Sequence, residues 1–299
     1  MTENEFLLQD RLTKIRSIIE KYGEENFFIS FSGGKDSAVL SALVDMAVPE
    51  NKIPRVFANT GIEYNMIVDF VKEIKEERHS WDMIMLKPKT PIRKMLETEG
   101  YPFKSKMHSQ YLRKFQKGGL SYKSVRAYIG LELTLKDKPM FRGCPKKLKY
   151  QFTEENTLKI SDMCCFRLKE EPLKEWSANN NKGISIIGIM KEEGGRRFNA
   201  QCVVIRGGKT TAFQPLVPIT KEWEEWFIKE YNVKICDIYK PPFNFDRTGC
   251  KGCPFALHLQ RDLEILEKFF PEERKQCEII WKPVYDEYRR INYRLKKEK

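Results

Sequence analysis

The fold is decided by the stretch Phe27-Phe28-Ile29-Ser30-Phe31-Ser32-Gly33-Gly34-Lys35-Asp36-Ser37-Ala38-Val39-Leu40. An apolar run ends abruptly at a small, polar and charged turn. Apolar residues then recur at helical spacing, with Val39, Leu40, Leu43 and Val44 on one face. This change of period predicts a buried strand, a tight turn and the start of a helix.

The turn between this strand and helix has the composition of a phosphate-binding site. Its two glycines let the backbone approach a ligand closely, and the first N–H groups of a helix lack intrahelical partners and favour an anion. Serine hydroxyls and a lysine add donors. The plainer alternative is a charged, glycine-rich surface turn. We expect a phosphate or pyrophosphate at Ser30, Ser32, Gly33, Gly34, Lys35, Asp36 and Ser37, with Lys35 and Asp36 as catalytic residues.

The spacing of this turn is not that of the common phosphate loop, Gly-x-x-x-x-Gly-Lys-Ser/Thr. Residues 32–37 instead resemble the PP-loop of the ATP pyrophosphatase group, the adenine nucleotide alpha-hydrolases. That group includes the PAPS reductase family, ATP sulfurylase small subunits and several enzymes that thiolate tRNA or DNA. The resemblance implies that ATP or a related adenine nucleotide binds here with Mg²⁺.

A second strand, residues 54–59, is predicted to end beside this loop, because ligands of open parallel sheets lie beyond the carboxyl ends of strands. Its end resembles the Asp-Thr-Gly element of the family, with Asn59 in place of the aspartate and with Thr60 and Gly61 retained. Thr60 and Glu63 are candidates for nucleotide or magnesium contact. Alternatively, Glu63 only caps the next helix.

A further strand, residues 183–189, continues into a segment that resembles the family's Gly-Ile-Arg-x-x-Glu-Ser-x-x-Arg element. Gly188, Glu193 and Arg197 match, and Arg196 is a second candidate for the final arginine. The resemblance implies that these four residues help to bind the nucleotide. Met190 replaces the first arginine and Gly194 the serine, so the part of the element that binds the anionic group departs from the family pattern.

The remaining periodicity predicts helices over residues 4–22, 64–77 and 220–231, a strand over 81–86 and a hairpin around Gly207-Gly208. Together they predict a Rossmann-like α/β fold. Its five- to six-stranded, mostly parallel sheet carries helices on both faces, a basic helical insert at residues 101–160 and a helical C-terminal region. We expect a nucleotide-binding domain over residues 1–240 and a Cys-x-x-Cys turn with helices packed on it over 241–299.

Two cysteine pairs, Cys164-Cys165 and Cys250-x-x-Cys253, form a second set of candidate site residues. A Cys-x-x-Cys turn with glycine lets both sulfurs face one metal. Adjacent cysteines suit a four-iron cluster better than tetrahedral zinc, because neighbouring side chains diverge. The pattern resembles the cluster motif of assimilatory APS reductases, which implies a [4Fe-4S] cluster on these four residues. Zinc and unligated thiols are the alternatives.

The other cysteines are assigned differently. Cys202, Cys236 and Cys277 lie in apolar patterns and are predicted to be core residues. Cys144 is flanked by basic residues, which would lower the pKa of its thiol and suit a catalytic nucleophile or an extra metal ligand. A buried structural cysteine is the alternative for Cys144.

Charge is distributed unevenly along the 299 residues. The formal net charge is +12, and residues 101–160 alone contain 14 Lys and Arg against four Asp and Glu. Together with residues 281–299, this segment is either a nucleic-acid surface or a solvated lysine-rich face. Its aromatic residues are more typical of a core than of base stacking. No run of 18 apolar residues and no signal pattern occurs, which predicts a cytoplasmic protein that does not enter membranes.

Two features of the sequence indicate which branch of the family the chain resembles. The Glu-Cys-Gly-Leu/Ile-His tail that carries the nucleophile of sulfonucleotide reductases is missing, and residues 32–37 keep the full PP-loop pattern. This combination resembles DNA-phosphorothioation and tRNA-thiolation enzymes, and implies ATP cleavage and sulfur transfer, with nucleic acid as acceptor and a protein partner in a relay. The alternatives are an APS or PAPS reductase with an atypical cysteine such as Cys144, and a non-catalytic nucleotide sensor.

Overall fold

The computed structural model describes residues 1–78, 81–134, 138–140 and 143–296, without the side chains of residues 195 and 196. The strands are β1 Phe27–Ser30, β2 Arg55–Ala58, β3 Met83–Leu86, β4 Ile184–Ile186, β5 Val203–Arg206 and β6 Lys209–Phe213. The helices are α1 Glu3–Tyr22, α2 Lys35–Ala47, α3 Asn65–Glu77, α4 Ile92–Glu99, α5 Lys106–Gly118, α6 Lys123–Ile129, α7 Glu171–Asn179, α8 Lys221–Glu230, α9 Leu259–Phe269 and α10 Pro271–Arg290.

The chain forms two compact units, each built from two separate segments. The α/β unit contains residues 1–88 and 169–248, and the helical unit contains residues 89–168 and 249–299. Every strand belongs to the α/β unit. The domain boundary proposed at residue 240 remains a prediction.

The sheet of the α/β unit has the strand order β3-β2-β1-β4-β6-β5. All neighbours are parallel except the β5–β6 hairpin, which is antiparallel and turns at Gly207-Gly208. The expected Rossmann-like fold with a mostly parallel sheet of five to six strands is therefore confirmed, and the sheet has six strands. From β1, strands β2 and β3 follow in turn towards one edge of the sheet, whereas β4 pairs on the opposite side of β1. The carboxyl ends of β1 and β4 consequently flank the switch point at which such sheets bind ligands.

One face of the sheet is covered by α1, α2 and α8. Their apolar stripes meet β1, β4 and β6 in a continuous core that includes the fully buried Ile15, Ile29, Leu40 and Phe227. Burial of this many branched and aromatic side chains stabilises the sheet at about 25 cal/mol per Å² of apolar surface removed from water. It also fixes the first turn of α2, where the phosphate loop ends.

The helical unit contains the basic segment of the sequence. Among its aromatic side chains, Phe103 and Tyr128 are buried as predicted, and the half-buried Tyr111 stacks on Tyr128 with ring centroids 4.4 Å apart. Tyr122 is exposed instead. Phe141, part of the same prediction, lies outside the described residues. Among the described helices, none combines the length and the apolar character needed to cross a membrane.

A buried histidine makes the stability of the helical unit depend on pH. His108 lies between the Tyr128 hydroxyl, 2.9 Å from Nδ1, and the Gln151 side-chain oxygen, 2.8 Å from Nε2. Burial lowers the pKa of His108 to about 4. Because an unfolded histidine takes up a proton near pH 6.5, stability is lost as pH falls from about 6.5 towards 4.

We expect His108 to account for a loss of about 2 kcal/mol of unfolding free energy between pH 7 and pH 5. Urea unfolding of the wild type and of His108→Gln at both pH values measures it, since the variant should lose less stability on acidification. His258→Gln, which alters an exposed histidine, should keep the wild-type dependence. An equal pH dependence in all three proteins would disprove this assignment.

Candidate functional site

The turn after β1 adopts a compact conformation stabilised by its own hydroxyl groups. Ser37 Oγ donates to the Gly34 carbonyl at 2.9 Å and accepts from the Ser32 backbone N–H at 3.2 Å. Gly34 is the N-cap of α2 and has no side chain to cap it. The N–H groups at the start of α2 therefore have no capping side chain and point into the space before the helix, which favours an anion there.

Glycine is required at Gly33 and Gly188 for steric reasons. Gly33 has φ +72°, and a Cβ there would lie 2.8 Å from Ile67 Cγ2 on α3. A Cβ on Gly188, after β4, would lie 3.0 Å from the Asp36 carbonyl oxygen. The segments that follow β1 and β4 therefore approach each other closely, as the switch point of the sheet predicts.

A cavity of about 270 Å³ lies at this switch point. Eight of the predicted nucleotide-binding residues line it: Ser30, Ser32, Gly34, Lys35, Asp36, Ser37, Gly188 and Arg197. Six further lining residues were not indicated by any sequence pattern: Ile187, Ile189, Tyr239, Asp246, Arg247 and Thr248. With Lys35, Arg197 and Arg247 in its wall and the start of α2 beside it, the cavity is suited to a phosphate-bearing ligand.

Tyr239 lines the cavity next to the loop, where a Cβ on Gly34 would lie 3.3 Å from its hydroxyl. Lys35 Nζ lies 5.6 Å from the centre of its ring, and the tyrosine hydroxyl hydrogen-bonds to Thr248 Oγ1. Burial raises the pKa of Tyr239 above its ordinary value, so the phenol remains neutral. Tyr239 follows Cys236 in an irregular segment without periodic pattern, and no sequence signal identified it.

The predicted residues after β2 do not line this cavity. Glu63 is buried, accepts a hydrogen bond from Thr60 Oγ1 at 2.9 Å and pairs with Lys169 Nζ at 3.0 Å. Asn59 accepts from the Gly61 N–H at 3.0 Å. The N-cap residue of α3 is Tyr64, which follows Glu63. The binding roles proposed for Asn59, Thr60, Gly61 and Glu63 remain predictions.

The carboxylate of Glu193 is surrounded by donors. It pairs with Arg197 and with Arg247, the latter at 2.6 Å, and accepts from the Met190 N–H at 3.4 Å. Glu193 therefore orients two arginines beside the cavity. The side chain of Arg196, the second candidate for the final arginine, lies outside the described residues.

Glu224 is a carboxyl group that no sequence pattern indicated. It lies on α8 with only 2% of its surface exposed, and its carboxyl hydrogen-bonds to Asp36. Burial and the neighbouring Asp36 raise the pKa of Glu224 to about 8, against the opposing effect of Lys35. The helix shows Glu222, Glu224 and Glu225 close together, so the sequence alone did not distinguish the buried carboxyl from the exposed ones.

In the helical unit, the four cysteines proposed as metal ligands interact with one another. Cys164 hydrogen-bonds to Cys165, and this contact together with burial raises the pKa of Cys164 well above its ordinary value. Cys253 and Cys250 raise it further through their charges. Within the described ranges, no three His, Cys, Asp or Glu side chains are arranged to hold a single metal ion.

The Cys250-x-x-Cys253 turn is held by helix α10. Trp281 Nε1 donates to the Lys251 carbonyl at 3.0 Å, and Tyr285 donates to the Gly252 carbonyl. Gly252 has φ +61°, and a Cβ there would overlap the Tyr285 hydroxyl and lie 2.7 Å from Cys277 Sγ. The turn and the buried Cys277 thus form one packed structure, in which Cys277 is the core residue that we predicted.

The expectation of a lowered pKa for Cys144 was wrong. Burial raises the pKa of this thiol to about 11, and the nearby Lys104 and Lys149 only partly oppose the effect. Desolvation of a thiolate therefore outweighs the attraction of the two cations. The catalytic role proposed for Cys144 remains a prediction. Cys236 is buried, as predicted, and Cys202 is half-buried.

A parallel sheet whose central strand runs into this loop defines a PP-loop nucleotide-binding protein. The model of the phosphoadenosine phosphosulfate reductase domain matches residues 26–256, so the chain belongs to that family. The members of this family are enzymes. No protein with a curated description matches the sequence.

Several solved structures are similar to the chain at low identity. PAPS reductase from Candida auris in a phosphate complex is 12% identical, with 84% of this chain and 96% of that chain covered and a TM-score of 0.47. FMN adenylyltransferase from Candida glabrata is 14% identical, with 81% of this chain and 61% of that chain covered and a TM-score of 0.48. A U34-tRNA thiolase from Methanococcus maripaludis with its [4Fe-4S] cluster is 15% identical, with 99% of this chain and 82% of that chain covered and a TM-score of 0.42. TM-scores below 0.5 are too low for a ligand or an activity to be carried over.

Proposed function

We propose that this chain is an ATP-dependent sulfurtransferase of the PAPS reductase family that acts on nucleic acid. The observation that carries the proposal is the cavity after β1, in which Ser32, Gly34, Lys35, Asp36 and Ser37 lie together at the switch point of the sheet. Every polar residue of the PP-loop pattern thus faces one phosphate-sized space. An intact loop of this kind suits a ligand with a pyrophosphate group to hold.

The reaction follows from what this loop can stabilise. An oxygen of the acceptor attacks the α-phosphorus of ATP, the bond from that phosphorus to the α–β bridging oxygen breaks, and pyrophosphate leaves with the electron pair. The N–H groups at the start of α2 and the Lys35 ammonium would stabilise the charge on the leaving group. Arg197 and Arg247, oriented by Glu193, would hold the rest of the anion. A sulfur nucleophile then displaces AMP from the acceptor.

The four cysteines of the helical unit fit a [4Fe-4S] cluster. One thiolate binds each iron of such a cluster, so its sulfurs stand further apart than the ligands of one zinc ion. Cys164 interacts with Cys165, Cys250 and Cys253, which supports a common site for the four thiolates. When bound, the cluster would supply a place to hold sulfur for transfer.

The acceptor is proposed to dock on the basic insert. Exposed lysines of the helical unit include Lys106, Lys117, Lys123, Lys146 and Lys149. Because aromatic residues of this segment such as Phe103 and Tyr128 are buried and cannot stack on bases, these cations would contact phosphates. The reductase alternative is less well supported, since a Cys144 thiol with a pKa of about 11 is protonated at neutral pH.

Pyrophosphate release tests the proposal. With ATP, Mg²⁺ and total cellular nucleic acid, we expect the wild type to release pyrophosphate and Lys35→Ala to be slower by about 100-fold or more, because a charged donor to the leaving group is lost. Lys14→Ala, which removes an exposed lysine on α1, is the control and should match the wild type. Failure of the wild type to bind ATP, or full activity of Lys35→Ala, would refute the assignment.

A further inference from the structure

We infer that Glu224 on α8 is a ligand of the divalent cation that accompanies the nucleotide, acting together with Asp36. The inference rests on the proposed use of ATP at the loop and adds a metal-binding residue to it. Asp36 belongs to the recognised loop pattern, whereas nothing in the sequence assigned a role to Glu224.

The other buried carboxylates of the α/β unit have their charge matched by cations. Glu63 binds the Thr60 hydroxyl and the Lys169 ammonium. Glu193 binds two arginines and a backbone N–H. The negative charge of each carboxylate is thus balanced by cations of the protein.

Glu224 is in the opposite situation. It is almost fully buried and belongs to the same helix as the core residues Trp223 and Phe227. Its carboxyl hydrogen-bonds to Asp36, and its Oε1 has no hydrogen-bond partner in the described part of the chain. A buried carboxyl oxygen without a partner destabilises the fold. An apolar residue at this position would extend the core without that penalty.

Glu224 is not one of the residues that line the cavity; its link to the cavity is its interaction with Asp36. Asp36 lines the cavity beside Lys35, and Glu224 interacts with both residues. A cation bound to Asp36 would therefore lie within reach of Glu224. Mg²⁺ in nucleotide enzymes is held by one or two carboxylates and by oxygens of the phosphates, and Asp36, Glu224 and a nucleotide in this cavity would supply that set. A bound cation would also satisfy the Oε1 of Glu224.

Mn²⁺, used in place of Mg²⁺, tests this assignment directly. Mn²⁺ bound to the full chain in the presence of AMPCPP can be counted by electron paramagnetic resonance. We expect Glu224→Gln, which keeps the shape and a donor to Asp36, to weaken Mn²⁺ binding by about 10- to 100-fold. The matched control is Glu225→Gln, which alters the exposed neighbour on α8 and should bind Mn²⁺ like the wild type.

The outcomes separate this inference from the proposed function. AMPCPP binding in EDTA should be the same in Glu224→Gln and the wild type; its absence from the wild type would refute the proposed function instead. Unchanged Mn²⁺ affinity in Glu224→Gln would overturn the inference. If that variant fails to fold, Glu224→Asp, which shortens the carboxylate and keeps its charge, must weaken Mn²⁺ binding at unchanged melting temperature; otherwise the inference is wrong.

Discussion

Alanine at Gly33 is expected to abolish nucleotide binding while the α/β unit still folds. The residue has φ +72°, which an L-residue adopts at a cost of about 1 kcal/mol or more, and the added Cβ would lie 2.8 Å from Ile67 Cγ2 and 3.1 Å from Val71 Cγ2. Because α3 is packed in the core, the loop rather than the helix would move. We expect destabilisation of about 2 to 4 kcal/mol and a loss of ATP affinity beyond 100-fold.

The matched control for this prediction is Gly208→Ala. Gly208 has nearly the same φ, +75°, but nothing lies within 4 Å of a Cβ placed there. It therefore reproduces the backbone strain without the collision, and it should lose some stability but no ATP affinity. Calorimetric titration with AMPCPP and thermal unfolding measure both quantities. If Gly33→Ala binds the nucleotide like the wild type, the loop does not hold its phosphates.

Loss of one cysteine of the Cys-x-x-Cys turn is expected to release the metal group of the helical unit. The anaerobically purified wild type should be brown and contain about four irons per chain. Cys250→Ala should lose the visible absorption and most of the iron, because each iron of the cluster depends on one thiolate. Visible spectroscopy and iron and sulfide assays measure the effect.

The control for this second experiment is Cys202→Ala. Cys202 belongs to the α/β unit, beside β5, and its removal leaves all four proposed ligands in place. This variant should retain the full iron content. A colourless wild type containing one zinc ion per chain would contradict the cluster, whereas it would leave the proposed nucleotide site unaffected.

The parts of this structure that could be predicted are those written in local patterns. The change from an apolar run to helical spacing at Ser32 placed β1, the loop and α2, and the Gly207-Gly208 pair placed the hairpin. Both signals depend on residues that are adjacent in the chain. Family membership followed because the loop and the cysteine pairs are short motifs.

The parts that could not be predicted depend on contacts between distant segments. Tyr239 and Arg247 reach the cavity from an irregular stretch that has no period. The burial of Glu224, and not of Glu222 or Glu225, is decided by the rotation of α8 against α2. The raised pKa of Cys144 results from burial, whereas its basic neighbours in the sequence had suggested a lowered pKa. In each case the position or burial of the side chain is determined by tertiary packing, which the local sequence does not specify.

The pairing of β1 with β4 has a consequence for biosynthesis. Phe27 and Ile184 are partners in the sheet, so roughly 150 residues of chain must be made before the second half of the phosphate site exists. At translation rates of about 5–20 residues per second, β4 is synthesised on the order of ten seconds or more after β1 and its loop. During that time the edge of β1 is open to wrong partners. Nascent chains of this protein should therefore bind holding chaperones until residue 190 has left the ribosome.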